Sequence, residues 1–60
     1  MVTTRCRVDL QKEDAELFTK YLKDNGIYFE PSENYNQIHF ECDMTDSEMN
    51  AANKWLEENL

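Results

Sequence analysis

The sequence predicts an α+β fold, a small β-α-β-β-α two-layer sandwich with a three-stranded sheet and both helices on one face. Three observations predict it. Apolar residues alternate over Thr4–Leu10 and again over Tyr35–Cys42, the period of half-buried strands. Apolar residues recur at three- and four-residue spacing over Lys12–Asn25 and again after Thr45, the period of helices packed along one side. The single glycine, Gly26, and the single proline, Pro31, fall at breaks between these segments. Sixty residues make one domain.

In the first strand Thr4, Cys6, Val8 and Leu10 point one way, and Arg5, Arg7 and Asp9 the other. The first helix carries an apolar stripe of Ala15, Phe18 and Leu22 with Leu17 and Tyr21 beside it. Glu13, Asp14 and Glu16 near its start and Lys20 and Lys23 near its end both suit the helix dipole. Gly26 fits the left-handed position after the helix, which lets Ile27 reach back to Leu22 in a Schellman ending. A short strand follows over Ile27–Glu30, with Tyr28 and Glu30 outward. Pro31-Ser32-Glu33-Asn34 reads as turn chemistry leading to Tyr35 at a hairpin tip. The third strand turns Ile38, Phe40 and Cys42 to the core and Gln37, His39 and Glu41 away from it.

Thr45-Asp46-Ser47-Glu48 is a capping box, with Met44 and Met49 placed as a hydrophobic staple. Met49, Ala52, Trp55 and Leu56 make the second apolar stripe. This helix ends on Glu57 and Glu58, which oppose its dipole, so its last turn calls for a cation.

A right-handed crossover between the first two strands leaves a gap that the third fills, giving strand order 1-3-2; order 1-2-3 is the alternative. The arrangement resembles a ferredoxin-like fold lacking its last strand. The resemblance implies an unpaired outer edge on the first strand. Pairing of that edge with a second copy would make a homodimer with a continuous sheet.

A chain of this length buries only about 60% of its unfolded surface, so a partner subunit is a natural source of stability. Thirteen acidic residues against six basic ones give a net charge of −7. That balance disfavours nucleic acid and anionic membranes as direct partners, since their binders present basic patches. No apolar leader or membrane-spanning run is visible, so a cytoplasmic protein with reduced Cys6 and Cys42 is expected.

No catalytic, cofactor-binding or metal-binding set is expected. His39 is the only histidine and has only Glu41 and Asp43 nearby in sequence, and Ser32 and Ser47 stand without an evident base. The expected function is that of an acidic, non-enzymatic protein-binding module. It would inhibit or modulate a larger protein, such as a nucleic-acid-binding one, by docking on its basic surface. In size and charge the chain is similar to the short acidic proteins that phages and other mobile elements direct against host defences. The expected partner-binding residues are Arg5, Arg7, Tyr28, Tyr35, Glu41, Asp43, Asp46, Glu48, Glu57 and Glu58. Arginine and tyrosine are common interface anchors, and the carboxylates can compete with phosphate for lysine and arginine. A homodimeric scaffold pairing through the first-strand edge is the alternative.

Overall fold

The computed structural model describes residues 2–60. Its elements run β1 (Thr4–Gln11), α1 (Lys12–Asp24), β2 (Tyr28–Asn34), β3 (Gln37–Met44) and α2 (Asp46–Asn59). The sheet has the order β1-β3-β2, with β3 antiparallel to both neighbours. This is the expected 1-3-2 arrangement.

The inner face of the sheet and the two helices enclose one core. Phe18, Leu22, Phe40, Cys42 and Met44 are its fully buried members, joined by Ala15, Ile27 and Ala52. Burying each large apolar side chain contributes about 1.5–3 kcal/mol. Phe18 is the hub: its ring meets Phe40 edge-on at 5.2 Å, stacks on Tyr21 at 6.1 Å and lies 5.9 Å from Trp55. The sheet, α1 and α2 are thereby tied through one side chain.

The expected helix signals are realised. Gly26 has φ +65°, and the Gly26 and Ile27 N–H groups donate to the carbonyls of Lys23 (3.2 Å) and Leu22 (2.9 Å), the two bonds of a Schellman ending. At α2, the Glu48 N–H donates to Thr45 Oγ1 and the Thr45 N–H donates to Glu48 Oε1, which closes the capping box.

The β2–β3 hairpin departs from expectation. Pro31-Ser32-Glu33-Asn34 is not a turn; it is the second half of β2, with Pro31 opposite Phe40. Because β2 is an edge strand, one side of its backbone needs no partner, and a residue without an N–H is tolerated there. The turn is the two-residue loop Tyr35-Asn36, and Tyr35 adopts φ +51°. Tyr35 therefore belongs to the loop and not to β3.

Leu17 is a second departure. Assigned to the margin of the apolar stripe, it is 51% exposed, because the stripe closes over Ala15, Phe18 and Leu22 alone. β1 passes into α1 without a connecting loop. Gln11 provides no side-chain cap, and the Lys12 N–H instead donates to the Asn36 carbonyl at 3.3 Å. That bond ties the start of α1 to the hairpin tip.

Candidate functional site

The register sorts every strand residue onto one of two faces. Across the open face the rows read Arg5–Asp43–Tyr28, Arg7–Glu41–Glu30, Asp9–His39–Ser32 and Gln11–Gln37–Asn34. Apart from the Tyr28 ring these side chains are all polar, as alternation against a buried opposite face requires.

The first two rows form one charge network. Arg5 donates from Nε to Asp43 and from Nη1 to Glu41, both at 2.9 Å, and Nη1 lies 3.6 Å from Glu30. Tyr28 Oη donates to Glu30 at 2.6 Å. Glu30 and Glu41 are directly opposed like charges, which disfavour the pairing unless a cation sits between them. Arg5 is that cation, and its pKa is raised, first by the hydrogen bond to Glu41 and then by the charge of Asp43. The Tyr28 hydroxyl is likewise pushed up by its bond to Glu30. These groups are mostly solvated, so their value lies in setting the face's charge pattern more than in stability.

In the third row His39 Nδ1 contacts the Asp9 carboxylate, and the Arg7 guanidinium lies 3.4 Å from the same nitrogen. The bond from His39 is the main reason the Asp9 carboxyl is held below its ordinary value, with Arg7 adding to it. Ser32 is the cross-strand neighbour of His39, a juxtaposition that sequence reasoning missed because it placed Ser32 in a turn.

The order acid, imidazole, hydroxyl invites comparison with a nucleophilic triad. Yet Ser32 and His39 are not hydrogen-bonded to each other, and backbone N–H groups of a flat sheet lie in its plane, where they cannot converge on an oxyanion above it. Arg7, Glu30, Ser32, His39 and Glu41 line an open depression of about 250 Å³. Its mixed charge suits contact with polar protein groups. Among the described residues no three His, Cys, Asp or Glu side chains group to hold a metal ion.

The helical layer is electrostatically different. Every carboxylate of the sheet has a cation within 4 Å: Asp9 has Arg7; Glu30, Glu41 and Asp43 share Arg5; and Glu33 has Lys12. On the helices only Glu58 is so paired, with Lys54 at 4.0 Å. Glu13, Asp14, Glu16, Asp24, Asp46, Glu48 and Glu57 have no such partner among the described residues. Of these, Glu48 is committed to the capping box.

The two helices run antiparallel to each other, because each runs back along its preceding strand and those strands are themselves antiparallel. The first turn of α1 and the last turn of α2 therefore point to the same end of the molecule. The hairpin loop is at that end too, held by the Lys12–Asn36 bond. Glu13, Asp14, Glu16, Glu57, Glu58 and Tyr35 are brought to this end, and Tyr35 is 91% exposed. Arg5, Tyr28, Glu41 and Asp43 gather on the open sheet face, with Arg7 beside His39. Asp46 stands at the opposite end, on the first turn of α2. The acidic run from Glu41 to Glu48 is thus split between the two layers.

Cys6 and Cys42 are cross-strand neighbours on the inner face, and both thiols are free. Burial and the nearness of Cys6 push the Cys42 thiol up to about 11. No helix among the described residues is long and apolar enough to cross a membrane. No protein-family model matches the chain, and no curated protein or solved structure matches it.

Proposed function

We propose that this protein is a non-enzymatic binding module that docks on a basic surface of a larger protein through its hairpin end. The observation that carries the reading is the separation of charge between the layers. Sheet carboxylates are neutralised within the molecule, whereas those on the helices, apart from Glu48 and Glu58, are left open to an external cation. Tyr35, standing in solvent among these acids, supplies an aromatic anchor. The last turn of α2, which contains no basic residue, gains a dipole-matched contact when a partner's lysine or arginine meets Glu57. A nucleic-acid-binding enzyme is the partner class that fits, since its phosphate groove is lined with such cations and carboxylates can occupy it in place of phosphate. An inhibitor of this type acts by occupancy, as anti-defence proteins of phages and other mobile elements do.

The test is capture of partners from the native host's lysate on the tagged protein, with a salt gradient for elution. A charge-reversed variant, Glu13→Lys with Glu16→Lys and Glu57→Lys, serves as the control. A basic partner that elutes at moderate salt and is absent from the variant supports the reading. Retention that neither salt nor charge reversal affects would overturn it.

A second reading, a homodimer joined through β1, is favoured by a separate observation. The outer edge of β1 pairs with no strand among the described residues.

A further inference from the structure

We infer that β1 pairs antiparallel with β1 of a second copy, in the register that sets Val8 opposite the second copy's Val8. The inference deepens the homodimer reading and leaves the acidic hairpin end free.

Three observations carry it. First, the inward residues of β1 are incompletely buried: Cys6, Val8 and Leu10 each keep part of their surface in water, while Phe40 and Cys42 opposite them on β3 are fully buried. Second, an apolar groove of about 200 Å³ runs between this edge and α2, lined chiefly by Cys6, Val8, Met49, Ala52 and Leu56. It lies where a further strand beside β1 would place its inward side chains. Third, β1 carries Arg5 and Arg7 against Asp9 alone, so it is a locally basic strand in a chain of net charge −7. Two acidic copies repel least if they meet there.

Charge then selects the register. A continuous sheet with all helices on one face requires inward residues to oppose inward residues, which leaves four registers with substantial overlap. Centring on Cys6 opposes Arg5 to the second copy's Arg7. Centring on Arg7 opposes the two Arg7 residues. Centring on Asp9 opposes two carboxylates. Centring on Val8 alone opposes Arg7 to the second copy's Asp9, twice, with no like charges directly facing; like pairs at such positions are destabilising and opposite pairs favourable. In this register Val8 meets Val8, and each Cys6 meets a Leu10 beneath the α2 groove. The result is a six-stranded sheet of order 2-3-1-1-3-2 covered by four helices.

Sedimentation equilibrium from micromolar to millimolar protein tests it, on the wild type, Arg7→Asp, and the double swap Arg7→Asp with Asp9→Arg, each checked by circular dichroism. The wild type is expected to be a dimer and Arg7→Asp a folded monomer, because two carboxylates now oppose Asp9 and its symmetry mate. The double swap restores the opposite pairs and is expected to restore the dimer. A wild type that stays monomeric overturns both the inference and the homodimer reading, and leaves the edge to a strand from elsewhere. A dimer indifferent to Arg7→Asp overturns this register while leaving dimerisation standing. If Arg7→Asp alone fails to fold, the double swap decides, and a folded but monomeric double swap overturns the inference.

Discussion

Replacing Gly26 by alanine isolates the energetics of one backbone conformation. Gly26 sits at φ +65°, and a Cβ built there meets no atom within 4 Å, so the substitution adds no clash. Its cost is the left-handed conformation itself, about 1–2 kcal/mol for an L-residue. Against this, alanine restricts the unfolded chain, a gain of about 0.4–1 kcal/mol. At the middle of both ranges the net expectation is a loss of about 0.8 kcal/mol; for a domain of this size about 1 kcal/mol lowers Tm by about 4–8 °C. A D-alanine at the same position, accessible by chemical synthesis of the chain, adopts positive φ without cost and keeps the unfolded-state gain. It is expected to raise stability by about 0.4–1 kcal/mol. Urea and thermal unfolding followed by circular dichroism measure both. If L-alanine leaves stability unchanged, or D-alanine lowers it, the Schellman geometry is not what holds the end of α1.

Phe18→Ala should cost about 3–5 kcal/mol, the size of the whole stability of a domain this small, so an unfolded spectrum is expected and a cooperative unfolding transition would contradict the placing of the core hub. Acid should destabilise the fold through Asp9 and Glu33. The bond from His39 and the bond from Lys12 hold these carboxyls below their unfolded values, so the stability they add is present above about pH 4 and is lost as pH falls through the lower folded values. The acid limb of a urea-midpoint profile should shrink in Asp9→Asn with Glu33→Gln; an unchanged limb refutes the linkage. The Cys42 thiol, pushed up to about 11 and fully buried, should resist a disulfide-exchange reagent at pH 8 until denaturant is added. Prompt reaction in the native protein would show that the core opens there.

Local signals in the sequence located most of the fold. The Thr45–Glu48 box and the Leu22–Gly26–Ile27 ending are written in consecutive residues whose own bonds enforce them, so they were legible without tertiary knowledge. The alternation of β1 and β3 was legible for the same reason, and with it the open-face positions of Arg5, Arg7, His39 and Glu41. Pro31 misled because its turn propensity is intrinsic, while its tolerance in β2 depends on that strand lying at the sheet edge, a tertiary fact. Misplacing Pro31 also hid the Asp9–His39–Ser32 row, which needs the register of both ladders. Leu17 misled because a stripe drawn from spacing does not say how wide the sheet beneath it is. The split of the Glu41–Glu48 run followed from strand alternation at one end and a cap at the other. Its electrostatic outcome, with Arg5 drawing in three carboxylates, depends on distances that spacing does not supply.

The central place of β3 governs when this molecule can acquire its fold. The hairpin joins β2 to β3 across a two-residue loop, so its contacts are local. The pairings of β1 with β3 are all long-range, from Gln11–Gln37 to Thr4–Met44. Closing such long loops costs entropy before any contact offsets it, and that slows folding. Of the three strands described, β1 is made first and yet pairs only with β3, the last of them. It waits, with both edges open, until β3 has been made.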